Sequence, residues 1–299
     1  MNHLLIRCIA KKQLAEIPIE KQVFDEVLKN RDMCLEGLGT EERFQLLIDN
    51  YFEFEAEFLS QSANLLIWDD SGHKAMDWRL ALDRRFVNLL SACRLYMDQT
   101  DHALSTVFGN PSSELAGVKT RKSQLYDGSF SYRLMEELRN FVQHSGLVLS
   151  IIKFGHHKVE LPTGKHTTFT VGAEVDSTSF HGTSLKKKIL TELLNKPSFD
   201  IRTPVRDYIS DLILLHKEVR NTLAARLCAA RCSYSNAVEH FSTVEDQKAD
   251  SSMFAFNESH EELQSFELIE DFLIRYDYLY ARNSRVQDMR RRFVSNAIF

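Results

Sequence analysis

Proline and glycine are scarce, with 5 and 11 in 299 residues. A chain so short of helix breakers, and plentiful in Leu, Glu, Arg and Lys, reads as dominated by helix. The cysteines, Cys8, Cys34, Cys93, Cys228 and Cys232, are odd in number and scattered, and they supply neither a disulfide framework nor a zinc-finger pattern. Reduced thiols are the expectation. Cys228 and Cys232 stand one helical turn apart, but no second pair accompanies them, so neither a metal nor another cofactor is expected. No apolar run approaches the roughly 18 residues of a spanning helix, and Met1-Asn2-His3-Leu4-Leu5-Ile6-Arg7-Cys8 is too short a run for a secretory signal. A cytoplasmic protein without a membrane role is expected. A P-loop, a dinucleotide fingerprint and a zincin motif are all missing.

Strong positive charge is also missing, since the formal net charge is −5. That argues against a general polyanion-binding surface, so any RNA must be held locally. Lys186-Lys187-Lys188 and Arg290-Arg291-Arg292 are the basic clusters available, and each serves equally well as a solubilising patch. His156, His157, His166 and His181 lie close in sequence, but their spacings match no ligand motif and surface histidines are the simpler reading.

What is present is length enough for a sizeable core, with 43% hydrophobic and 26% charged residues. The first forty residues mix short apolar groups with charge and give no clear element; Gly37-Leu38-Gly39-Thr40 reads as a loop, with Thr40 as N-cap ahead of Glu41-Glu42. A helix to Trp68 follows, carrying Phe44, Leu47, Ile48, Tyr51, Phe54, Phe58 and Leu65 at three and four spacing. Asp69-Asp70-Ser71-Gly72 breaks it. A second helix is predicted from about Ala75 to Val107, closed by Gly109-Asn110-Pro111, and a shorter one within Ser113 to Tyr126. After Gly146 the period changes: Leu147 to Phe154 is β-rich, Gly155-His156-His157 is turn-like, and Thr167 to Val171 alternates, which predicts a hairpin or meander. Helix returns from Ser184 to about Pro197, then from Pro204 toward Phe241. Thr243 to Ser259 reads as a loop, and a last amphipathic helix is predicted over His260 to Tyr280. The expected fold is mainly α, an antiparallel helical bundle with a small β-rich insertion. Its predicted divisions are an N-terminal segment 1–40, a bundle 41–146, the insertion 147–183, and C-terminal helices 184–299 that pack on the bundle.

The most informative segment is the helix predicted over Tyr132 to His144. At roughly 100° per residue, Tyr132, Arg133, Glu136, Arg139, Asn140, Gln143 and His144 share one arc of about 140°. Leu134, Met135, Leu138, Phe141 and Val142 occupy the opposite arc, so one side is buried and the other carries a concentrated polar stripe. Asn140 and His144 are neighbours across one turn, as are Arg139 and Gln143. A fixed cation, an amide and a titratable imidazole on successive turns suit chemistry on a phosphate ester; a solvated face is the plainer reading of the same pattern.

Arg139, the polar Asn140 and His144, with three residues between Asn140 and the histidine, resemble the signature of the HEPN superfamily (higher eukaryotes and prokaryotes nucleotide-binding domain), and bacterial HEPN-like proteins in particular. The resemblance covers Glu41 to His144, with the helix after Pro204 as a further bundle member. It implies a metal-independent endoribonuclease, a toxin or defence effector, in which two protomers bring their motif helices together. On that reading His144 activates the ribose 2′-hydroxyl or protonates the leaving 5′-oxygen, since an ordinary imidazole titrates at about 6.5. Arg139 binds phosphate oxygens and stabilises charge growing in the transition state. Asn140 orients His144 or the phosphate, and Gln143 assists. Asp98 and Glu136 are candidates to orient the arginine or the imidazole. The expected partners are a second copy, RNA, and a neutralising antitoxin or other protein.

Two other classes of function fit the stripe. One is a non-catalytic helical protein that binds nucleotide, RNA or a partner chain. The other is a structural role, with Arg139 and Glu136 forming a salt bridge at a dimer interface. Resemblance of fold does not by itself establish activity.

Overall fold

The computed structural model describes residues 3–10, 13–68, 71–161, 163–180, 185–195, 197–243, 252–258 and 263–294. The chain is mainly helical, with two small antiparallel sheets. In order, the elements are β1 (His3–Ala10), β2 (Gln13–Pro18), α1 (Lys21–Trp68), α2 (Ser71–Phe108), α3 (Ser113–Gly128), α4 (Phe130–His144), β3 (Ile151–Leu161), β4 (Gly164–Asp176), α5 (Lys187–Leu194), β5 (Ser198–Asp200), α6 (Arg202–Thr243), β6 (Ser252–Glu258), β7 (Leu263–Glu267) and α7 (Asp271–Asn283). Among the described residues no helix is long and apolar enough to cross a membrane.

The chain divides into two compact units, and α1, α2, α3 and α6 each contribute residues to both. The first comprises residues 1–42, 100–115 and 219–285. Its sheet has the order β2-β1-β6-β7, with every neighbour antiparallel. Two sequence expectations fail here. Gly37 to Thr40 is not a loop but lies inside α1. A Cβ at Gly37 would stand 2.9 Å from a methyl of Leu227, so glycine is there to let α1 and α6 approach closely, not to turn the chain. Thr40 accordingly caps nothing: its hydroxyl donates to the Glu36 carbonyl one turn back, at 2.8 Å. The predicted loop Thr243 to Ser259 contains β6, and the predicted helix from His260 is strand β7 followed by a shorter helix, α7. β1 pairs with β6 and β6 in turn pairs with β7, supplying partners for these short segments that no local pattern announces. Residues 244–251 and 259–262 lie outside the described set. In the same unit the Arg220 guanidinium grips the buried Glu41 carboxylate, with Nε to Oε1 at 2.7 Å, and lies 4.2 Å over the Tyr280 ring.

The second unit, residues 43–99, 116–218 and 286–299, holds the motif helix. The periodic residues of α1 and α2 meet here. Phe54 packs edge-on against Phe58 and near Phe86, with ring centres 5.2 and 6.0 Å apart. Val205, Ile209 and Leu212 of α6 and Leu134, Met135 and Leu138 of α4 complete the core, each fully or almost fully buried. A polar pair is enclosed among them: His216 stacks on Phe44 at 3.7 Å, and its Nδ1 shares a hydrogen bond of 3.0 Å with the Tyr96 hydroxyl.

β3 and β4 form a long antiparallel hairpin, paired from Ile151 and Glu174 to Leu161 and Gly164, and β5 adds a short edge. Gly155, His156 and His157 are therefore strand residues, paired with Thr170, Phe169 and Thr168, and not the expected turn. A Cβ at Gly155 would fall 2.3 Å from the Thr170 hydroxyl oxygen, which explains a glycine in mid-strand. Val171, Ala173 and Val175 alternate inward, and Val171 joins Leu65 and Trp78 with Ile152, Phe154 and Phe169 around them. Ser62 of α1 fixes the register by accepting the Val171 amide at 3.0 Å.

Candidate functional site

Ser129 begins the motif helix. Its backbone is extended, and its side chain accepts the Tyr132 amide at 3.2 Å, satisfying one of the free donors of the first turn. Asp127 and Gly128 form the last turn of α3, so Ser129 alone separates α3 from the motif helix. Leu134, Met135, Leu138 and Phe141 are buried as the periodicity requires, and Phe141 meets Phe180 edge-on with ring centres 5.0 Å apart. The polar stripe, however, is not one exposed face. It divides at Glu136 into a covered N-terminal half and an open C-terminal half.

In the covered half, Tyr132 is 3% exposed and its hydroxyl lies 2.9 Å from the Met97 sulfur. Arg133 is also buried. Its guanidinium donates to the carbonyls of Tyr126 and Asp127 at 3.1 and 2.7 Å, closing the end of α3, and to both Glu192 oxygens at 3.2 and 3.0 Å. Glu136 accepts from the Tyr208 hydroxyl at 2.8 Å and faces the Arg94 guanidinium at 3.5 Å. Arg94 donates through Nε to Asp98 at 2.8 Å. Asp98 and Glu136 are thus brought into one chain of contacts, but it is Arg94 that joins them, and neither is held by Arg139 or His144. Burial pushes the Tyr208 hydroxyl well above its ordinary value, with nearby acidic groups adding to the shift, so Tyr208 stays a proton donor to Glu136.

Glu137, assigned to neither face by the sequence pattern, is buried and anchors the start of α5. It accepts the Lys186 amide at 3.2 Å and pairs with the Lys186 ammonium at 2.9 Å. Lys186 also donates to the Tyr126 hydroxyl at 2.9 Å, so this member of the lysine cluster is committed to structure, while Lys187 and Lys188 are exposed.

The open half carries the remaining candidates. Asn140, Gln143 and His144 are exposed, and Arg139 is half-buried. Arg139 donates from Nη1 to the Asn140 amide oxygen at 3.1 Å; its Nε is buried and makes no hydrogen bond, and no carboxylate among the described residues pairs with it. Most arginines of this unit behave otherwise: Arg85, Arg94, Arg133, Arg202 and Arg206 each bind an acid. Among the described residues Arg139 is a cation whose one hydrogen-bond partner is neutral, on the same exposed end of the helix as His144. Such an arrangement can receive a phosphate without first breaking an ion pair.

The other clusters are quieter. His156 lies against the Phe169 ring, His166 shares a hydrogen bond with Thr163, and His181 lies outside the described residues. Among the described residues no three His, Cys, Asp or Glu side chains converge as metal ligands. Cys34 and Cys93 are buried free thiols, and burial pushes Cys34 up to about 11, which makes it a poor nucleophile. Cys228 and Cys232 are free and exposed.

Sequence reasoning missed Arg94, Tyr208 and Glu192, which decide what half of the stripe does. Their partners are 42 to 72 positions away along the chain, and nothing local marks them. No family model, curated protein or solved structure matches the chain.

Proposed function

We propose that the chain is a metal-independent endoribonuclease of HEPN type, acting through Arg139, Asn140 and His144. The observation that carries this reading is Arg139, half-buried, without an acidic partner among the described residues and bonded to the neutral Asn140, with His144 exposed one turn beyond Asn140. A phosphodiester at this face is met by a fixed positive charge and by an imidazole, a side chain suited to acid-base catalysis. In the reaction, the ribose 2′-oxygen loses its proton to an imidazole and forms a bond to phosphorus. The bond from phosphorus to the 5′-oxygen breaks, and that oxygen takes up a proton. The products are a 2′,3′-cyclic phosphate and a 5′-hydroxyl.

Attack and departure lie on opposite sides of phosphorus, and one motif helix offers one imidazole. A two-fold pairing of protomers would duplicate Arg139 and His144 and supply both proton transfers. Asn140 positions the arginine, and Gln143 borders the same face. Asp98 and Glu136 act at a distance, by holding the helix through Arg94 and Tyr208. A toxin or defence effector, restrained by a protein partner, is the biological role this chemistry suits.

The test is cleavage of a mixed set of RNAs by the purified protein in the presence of a chelator, with His144→Ala and Arg139→Ala alongside. Each substitution is expected to lower cleavage by a factor of about 100 or more, because acid-base and charge-stabilising groups each commonly contribute that much. Fragments ending in cyclic phosphate are expected. Undiminished cleavage by the His144→Ala protein, or cleavage that requires an added divalent metal, would overturn the mechanism. Binding of RNA without cleavage would favour the non-catalytic alternative.

A further inference from the structure

At the opposite end of the motif helix from Arg139 and His144 the second unit contains a cleft of about 1460 Å³. It is open, and larger than the roughly 300–1,000 Å³ typical of a site for one small ligand. Its components come from four places in the chain. The start of α4 contributes Ser129 and Ser131, whose neighbouring backbone amides form the positive end of the helix dipole. From α6 come Asp207 and Asp211, one turn apart. Phe130 and Phe199 supply flat apolar wall, and Arg290, Arg291 and Arg292 line the cleft from the C-terminal segment.

The three arginines do different work. Arg290 is structural, pairing with the buried Asp211 and with Asp288 at 3.0 Å. Arg291 and Arg292 are exposed, and neither side chain has a partner among the described residues. Two adjacent uncommitted guanidinium groups beside a helix N-terminus attract a phosphate. The acids complement them deeper in. Asp207 accepts the Ser131 hydroxyl at 3.1 Å. Asp211 is 4% exposed; the Arg290 cation holds its Oδ1 and the Ser129 side chain also bonds the carboxylate, while Oδ2 keeps unused acceptor capacity. Carboxylates on a cleft wall can accept further donors, such as a base N–H or a sugar hydroxyl.

We propose that this cleft binds a nucleoside phosphate, free or within an RNA strand, with Arg291 and Arg292 on the phosphate and Asp207 and Asp211 receiving donors from the nucleoside between the phenylalanine walls. The site stands apart from the cleavage face. Ser131 and Arg139 are eight residues apart on one helix, about 12 Å at 1.5 Å per residue, so the cleft has its own ligand whether or not the chain cuts RNA.

The experiment measures binding to the full chain carrying His144→Ala, which keeps the probes intact. The probes are inorganic phosphate, AMP, GMP, CMP and UMP by calorimetry, and a fluorescently labelled single-stranded RNA hexamer by anisotropy. Nucleotide or hexamer is expected to bind at least tenfold more tightly than inorganic phosphate. Tighter binding of the mononucleotides identifies a free nucleotide as the ligand; tighter binding of the hexamer identifies a strand. Arg291→Ala with Arg292→Ala is expected to weaken binding at least tenfold and to flatten its salt dependence, with the thermal midpoint unchanged because both side chains are exposed. Lys187→Ala with Lys188→Ala removes the same charge outside the cleft and is expected to leave affinity as it was. Inorganic phosphate binding as tightly as the nucleotides would overturn the nucleoside assignment. Equal losses in the two double variants, or none in either, would overturn the site.

Discussion

Arg133 and Arg139 sit on one polar arc of one helix, yet the structure gives them different work, and a pair of alanine substitutions separates the two roles. Arg133→Ala removes a guanidinium that is 10% exposed and that bonds the Tyr126 and Asp127 carbonyls and both oxygens of Glu192. Bonds to a charged group contribute about 1.5–3 kcal/mol each and do not sum. Breaking a buried ion pair costs about 3–5 kcal/mol, chiefly because the surviving partner is left unpaired. Glu192 is 32% exposed and regains water, which places the expected loss at the low end, about 3 kcal/mol. For a chain of 299 residues that corresponds to a fall in the thermal midpoint of about 5 °C. Arg133→Lys restores the charge but not the fork that reaches four acceptor oxygens, so about half of the loss should remain. Arg139→Ala removes a contact to one exposed amide and should stay within about 0.5 kcal/mol of wild type. Urea denaturation of all four proteins, followed by circular dichroism, measures these values. Equal destabilisation by Arg133→Ala and Arg139→Ala, or an Arg133→Ala protein as stable as wild type, would refute the division of the stripe.

Tyr208→Phe should cost about 1–2 kcal/mol by depriving half-buried Glu136 of a donor, and should leave RNA cleavage close to wild type, because Glu136 is bonded to Tyr208 and Arg94 and not to the cleavage residues; a collapse of cleavage at unchanged stability would place Glu136 in the chemistry. Gly37→Val should destabilise by about 1–3 kcal/mol through the clash with Leu227, and combining it with Leu227→Ala should cost less than the sum of the two changes in a double-mutant cycle. Asp83 is 1% exposed and accepts the Leu149 amide at 3.1 Å, and burial pushes its carboxyl above the usual range despite that bond and nearby Arg79. A raised folded value means that the proton is held more tightly in the folded state: this group's contribution is fully present below the unfolded value and is lost as pH rises through the folded one. Asp83→Asn removes that dependence, so urea midpoints should shift in favour of the variant between pH 4 and pH 7; a shift in favour of wild type would reverse the sign assigned to the burial.

Local sequence by itself determined the long helices and the inner side of the motif helix. Phe44 to Leu65, Leu82 to Met97 and Val205 to Leu227 repeat at helical spacing, and most of those side chains are buried where the repeat puts them, because burying one face of a helix requires that period whatever it packs against. The strand-rich hairpin after Gly146 was legible for a similar reason, although its turn was not: His156 and His157 look like turn residues until β4 pairs with them. What only the tertiary structure decided was the fate of polar and small residues. Gly37 reads as a chain break from its own propensity and as a helix contact once Leu227 lies against it. β6 is a strand because β1 offers it an edge, and β7 because β6 then offers the next. Arg133 and Arg139 share an arc, yet Glu192 and the end of α3 cover one and leave the other uncompensated. A periodic pattern states which residues must leave water, since that depends on the element alone; which polar groups then find partners depends on elements tens of residues away, and no spacing within a single helix carries that information.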